Sequence, residues 1–140
     1  DNLTTLESID DAATKNWGNN WRMPTSAEMQ ELLDNCTWTW TTLNEVSGCM
    51  ITSTVEGYTD KSIFIPAAGY KEGTGTLYSN NENGYYWSNS LNADYLERGD
   101  PSNADFLPIF QPGSEWWQQI MITPSVRTKG FSVRPVYIGN

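Results

Sequence analysis

The 140-residue chain contains no histidine. That excludes Ser-His-Asp and Cys-His nucleophile systems and every zinc site built on imidazole. Carboxylates are present as Asp10-Asp11 and as Glu28, Glu31 and Asp34. Glycosidase chemistry needs two carboxyls converging across one cleft at about 5 to 9.5 Å. Here the first pair opens a helix and the second set lies on a solvated helix face, where capping and solubility account for them. Cys36 and Cys49 lack CxxC spacing and a helix N-terminal position, so they read as buried thiols or one bridge, without a redox role. Asn80-Asn81-Glu82-Asn83-Gly84 offers oxygens to calcium, but it fails the alternating-ligand pattern of an EF-hand loop and serves at least as well as an Asx turn. The expectation is no catalytic residue, no metal ligand and no cofactor, with calcium the one ion the chain could address.

Binding chemistry is better represented. Trp116-Trp117-Gln118-Gln119 joins flat apolar area to amide hydrogen bonding, the pairing used to stack on sugar rings and to anchor protein interfaces. Tyr95, Arg98, Asp100 and Arg127 add polar contacts within the same stretch, Leu91 to Lys129. A net charge of -9, with only eight scattered Lys and Arg, argues against nucleic acid or an anionic membrane as partner. No apolar run approaches the ~18 residues of a membrane span, and Asp1-Asn2-Leu3-Thr4-Thr5 lacks the regions of a signal peptide, so the chain reads as a soluble, processed piece without direct membrane insertion. Seven Trp, seven Tyr and four Phe suit a compact surface that binds a protein or a glycan.

These residues need elements to position them. Gly84-Tyr85-Tyr86-Trp87-Ser88-Asn89-Ser90 follows a turn-rich run and predicts a central strand. The alternation of Gly130 to Val136 predicts a half-buried strand that pairs with it, which would make Leu91 to Lys129 a long excursion displayed on a rigid base. Ser8 followed by Asp10-Asp11 predicts a short first helix stopped by Gly18. Thr25 with Glu28 forms a capping box for a second helix, whose Met29, Leu32, Leu33 and Cys36 share one face. Thr37 to Thr42 alternates and predicts a hairpin with Cys49 to Ser53, placing Trp38 and Trp40 on one side. Ser62 to Pro66 reads as a strand beside Tyr85, Asn92 to Asn103 as a loop, Ala104 to Phe110 as a strand with Pro108 at an edge or bulge, and Trp116 to Thr123 as another strand. Helices first and short strands after predict a single α+β domain over residues 1–140.

Four separated blocks, Trp21-Arg22-Met23-Pro24-Thr25 with Glu28 and Leu32, Phe64 to Gly69, Tyr86-Trp87-Ser88, and Ser132 to Val136, resemble the Fibrobacter-type major paralogous domain family in its own order. The resemblance implies a C-type-lectin-like fold: two N-terminal helices, a small antiparallel sheet and an irregular second strand region, with Leu3 to Leu6 as a short or truncated first strand. It also implies a secreted or surface-attached protein of gut bacteria of the Bacteroides group that binds without catalysing. The layout is similar to that of variable receptor proteins diversified by retroelements, with Leu91 to Lys129 in the place of the diversified segment. The alternative function is a structural or adhesive subunit such as a pilus-tip or stalk domain. The implied extracellular setting favours a Cys36–Cys49 bridge, and the framework reading buries Trp87 against the second helix and Val133.

Overall fold

The structure is a computed structural model and describes residues 3–113 and 120–139. Its elements in chain order are α1 (Ala12–Trp17), β1 (Trp21–Arg22), α2 (Ser26–Asn35), β2 (Cys36–Leu43), β3 (Val46–Ser53), β4 (Ser62–Pro66), β5 (Tyr70–Glu72), β6 (Thr76–Tyr78), β7 (Asn83–Leu91), α3 (Ala93–Glu97), β8 (Asn103–Phe110), β9 (Thr123–Val126) and β10 (Val136–Tyr137). They form four antiparallel sheets, ordered β1-β10, β2-β3-β4, β5-β6 and β7-β8-β9.

Local chemistry explains most boundaries. Asp11, not Ser8, caps α1: its buried carboxylate accepts from the amides of Ala13 and Thr14 at 2.9 and 3.0 Å. The same carboxylate accepts from the Met23 amide at 2.9 Å, which pins the strand after α1 to the start of that helix. Helix α2 has the expected capping box, with the Glu28 amide donating to Thr25 Oγ1 and the Thr25 amide to Glu28 Oε2. Asn44 and Glu45, at φ 49° and 68°, supply the two left-handed residues of a tight hairpin turn between β2 and β3.

Helix α2 and the β2-β3-β4 and β7-β8-β9 sheets share one core of Met29, Cys49, Ile51, Ile65, Ala67, Tyr86, Leu107 and Ile109. Leu32, Leu33, Cys36, Trp38 and Trp40 pack against it. Period-2 alternation sends Tyr86 and its partner Leu107 into this core, and Trp87 and its partner Phe106 to the opposite face of the sheet.

The expected α+β, C-type-lectin-like arrangement is corrected. The chain is mostly β, 43% strand against 16% helix, and the described residues form four small antiparallel sheets and three short helices in place of two N-terminal helices and one small sheet. Helix content is low because α1 starts only after Asp11 and runs for 6 residues. Strand content is high because residues at positive φ, Asn44 and Glu45 in one turn and Gly73 and Gly75 in another, close the β2–β3 and β5–β6 hairpins.

Several finer placements also change. Strand β7 pairs antiparallel with β8, whereas the closing segment touches it through a single parallel bridge, Tyr86 to Ser132. Strand β4 pairs with β3, and the backbone bridge to β7 comes from Gly69 beyond it, which lies parallel to Gly84. The N-terminal piece does supply a short extended stretch, Thr5 opposite Ser90, but beside β7 and not beside the last strand. Trp87 is half-buried on Phe131 with ring centroids 4.4 Å apart, so the helix-facing position belongs to Tyr86. Cys36 stands opposite Ser53 and Cys49 opposite Trp40, four register positions apart. That separation is roughly 13 Å along the hairpin, well beyond the ~7 Å limit of a disulfide, and both thiols are free.

Candidate functional site

The stretch from Leu91 to Lys129 is not one displayed excursion. Its middle is β8, the central strand of its sheet, with Ala104, Phe106, Leu107, Pro108 and Ile109 buried. What β8 does is carry two exposed regions at its two ends, separated by roughly 23 Å of strand.

At the Asn103 end, four of the sequence-predicted residues come together. Asn92 caps α3 by accepting from the Tyr95 amide, and its Nδ2 donates to Asp105 Oδ1 at 2.7 Å, tying this helix to β8. The chain leaves α3 in a tight turn in which the Asp100 amide donates to the Tyr95 carbonyl at 2.9 Å. Arg98 lays its guanidinium 5.8 Å from the centre of the Tyr95 ring, within cation–π range. Asp100 accepts from the Ser102 amide at 2.8 Å; the Ser102 hydroxyl first, and then this amide, hold its carboxyl below the usual range. The Arg127 amide donates to the Ser102 carbonyl at 2.9 Å, and its guanidinium reaches the Pro101 carbonyl at 3.4 Å. Tyr95, Arg98, Asp100 and Arg127 thus share one rim, held by the pairing of Asn103 with Val126. Beside it lies a cleft of ≈ 590 Å³ between Leu3, Thr4 and the α3–Pro101 turn, with a smaller one of ≈ 190 Å³ next to Arg127.

At the Phe110 end the outer face of the sheet is aromatic. Tyr85 stacks on Phe131 with centroids 5.2 Å apart, and Tyr70 stacks on Tyr78 at 5.3 Å while meeting Tyr85 edge-on at 5.0 Å. Lys129 places its ammonium 5.2 Å from the Tyr70 ring and 3.4 Å from Glu72. Burial raises the Tyr85 hydroxyl pKa. The sequence places the closing segment beside the Tyr85 strand but does not show that Tyr70, Tyr85 and Phe131 stack, which follows from the Gly69–Gly84, Lys71–Gly130 and Tyr86–Ser132 bridges. Trp116, Trp117, Gln118 and Gln119 lie outside the described residues.

The asparagine-rich turn works as a structural tie. Asn81 Oδ1 accepts from the Ser47 amide at 2.9 Å and the Asn81 amide donates to the Ala67 carbonyl at 2.7 Å. Among the described residues no three acidic, cysteine or histidine side chains converge as a metal cluster, and no helix is long and apolar enough to cross a membrane. Comparison of the chain with protein-family models, with curated proteins and with solved structures finds no match.

Proposed function

We propose that the chain is a noncatalytic ligand-binding module of a secreted or surface-attached bacterial protein, with the rim around α3 and the end of β9 as its recognition surface. The observation that carries this is the convergence of Tyr95, Arg98, Asp100 and Arg127, an aromatic ring, two cations and an acid, on one turn beside an open cleft. Such mixed aromatic and charged groups on loops held by a rigid sheet are the usual make-up of a protein or glycan recognition surface. The secreted setting rests on the resemblance of the four sequence blocks to the Fibrobacter-type family. A screen of glycans and bacterial or host surface proteins tests the reading. Wild type should bind at least one class, and the Arg98→Ala/Arg127→Ala pair should weaken that binding about tenfold or more while leaving thermal stability unchanged. Contact mapping instead to residues 8–35, or unaltered binding by the double variant, sinks it.

One observation favours a second reading, a structural or adhesive subunit. Trp17 is 55%, Tyr137 60% and Ile138 48% exposed, and all three sit at the end of the molecule where β1 pairs with β10. Exposed apolar side chains grouped in this way suit contact with a neighbouring domain. Self-association or filament formation that is lost in Tyr137→Ser would favour this reading over the first.

A further inference from the structure

A further cavity shares no lining residue with the α3 rim or its two clefts. It occupies ≈ 410 Å³ beneath α2, between that helix, β4 and the β7-β8 pair. Its walls are Met29, Leu32, Ile63, Ile65, Tyr86 and Leu107, four of them core residues no more than 4% exposed. A volume within the roughly 300–1,000 Å³ of small-molecule sites, lined by side chains this apolar, favours a hydrocarbon over water.

The polar groups at its edge select the head group of such a ligand. Glu28 lines the cavity, but both its oxygens are engaged: Oε2 accepts from Arg22 Nη1 at 2.8 Å and from the Thr25 amide at 2.9 Å, and Oε1 faces Arg22 Nη2. The Arg22 guanidinium holds the Glu28 carboxyl below its usual range, so the pair stays ionised and nearly neutral in sum. The Tyr86 hydroxyl is likewise committed, donating to the Pro66 carbonyl at 2.6 Å. Arg134 is different. It lines the same cavity, its side chain is solvent-exposed, and among the described residues its guanidinium makes no ion pair. A guanidinium presents a planar donor fork that matches a carboxylate.

We propose that this cavity binds an unbranched monocarboxylate, its hydrocarbon chain among Met29, Leu32, Ile63 and Ile65 and its carboxylate on Arg134. One cation facing an apolar pocket calls for a single anionic head on an apolar body. A phosphate or a polyanion would find no second cation among the lining residues, and Arg22 is held by Glu28.

The test is titration of the full chain with sodium decanoate and with decan-1-ol, followed through the methyl resonances of Met29, Leu32, Ile63 and Ile65. The expected result is saturable shifts of those methyls, with decanoate bound about fivefold more tightly than the alcohol, the size of effect a solvent-exposed ion pair gives. Arg134→Gln, at an exposed position, should bring the two ligands to equal affinity without moving the melting temperature. The proposal is overturned if those methyls do not shift below the concentration at which decanoate self-associates. Equal affinities for the two ligands in the wild-type chain, or decanoate affinity unchanged in Arg134→Gln, would overturn it as well.

Discussion

Tyr86 and Trp87 are adjacent in β7 and serve opposite faces of it: the Tyr86 ring is 4% exposed in the core under α2, and the Trp87 ring lies half-buried on Phe131 and Phe106. Their substitutions should therefore differ in cost. Tyr86→Ala opens a cavity among close-packed neighbours and should lose about 3–5 kcal/mol. Trp87→Ala removes a partly solvated ring, together with the Nε1 donation to the Lys129 carbonyl at 3.2 Å. It should lose about 2 kcal/mol, less than the truncation of a fully buried aromatic because the ring is partly solvated. Denaturant melts that reverse this order would show that the facing has been assigned wrongly.

Arg22 and Glu28 set an acid limb of stability. The Glu28 pKa is lowered first by its hydrogen bonds to Arg22, so the unfolded chain binds a proton that the folded chain refuses. Stability from this pair is present above the ordinary carboxyl value of 4.5 and is lost as pH falls through the lowered folded value. Glu28→Gln keeps a capping-box residue while removing the charge. Because the pair is substantially solvated, wild type should exceed the variant by only about 1 kcal/mol near neutrality. Urea melts across the acid range should show that gap closing as pH falls, and a gap that widens would contradict the assignment.

The two cysteines should behave as separate thiols. Burial raises the pKa of both, Cys49 to about 11, so Cys49 should resist Ellman's reagent in the native protein and react only on unfolding. Cys36, half-buried at the surface end of the hairpin, should react first. Since the unfolded Cys49 thiol ionises from about pH 8.5 while the folded one does not, stability should decline with rising pH between that value and about 11. Fewer than two thiols in the unfolded, unreduced protein would disprove the register.

Two glycines with nearly the same backbone should respond unequally to alanine. Gly69 (φ +63°) would place a Cβ 2.1 Å from the Tyr78 carbonyl oxygen, whereas Gly73 (φ +57°) has open space. Gly73→Ala should cost about 1 kcal/mol, the penalty of a left-handed residue alone. Gly69→Ala should cost more than about 2 kcal/mol, because backbone must move. Equal thermal shifts for the two variants would mean that β6 does not approach Gly69.

Local signals in the sequence were reliable. The Thr25/Glu28 capping box, the apolar face of α2 and the pairing of Thr37 to Thr42 with Cys49 to Ser53 follow from local patterns, although the returning strand starts earlier, at Val46, and takes in Gly48. Three aromatics in a row, Tyr85 to Trp87, carry no alternation, so the sequence could not say which ring enters the core. Helix α3, with 5 residues, is too short to show a period. The α3 rim depends on the pairing of Asn103 with Val126, and the aromatic array on bridges to residues 130 and 132. The Asn103–Val126 pairing leaves no trace in residue spacing, so the sequence names the members of the rim without their common location.

The β1–β10 ribbon also governs the order in which the protein becomes complete. Trp21 pairs with Tyr137 and Arg22 with Val136, more than a hundred positions away in the chain. During synthesis, α1 and its Asp11–Met23 clamp can form early, because their contacts lie close in sequence. The β1 strand within that clamp then waits with an open edge until nearly all of these residues have left the ribosome. Closing so large a loop is slow, and an unpaired edge invites other strands. Premature termination anywhere between β9 and β10 would therefore release a chain whose core sheets are built but whose Trp21–Arg22 edge stays open for association.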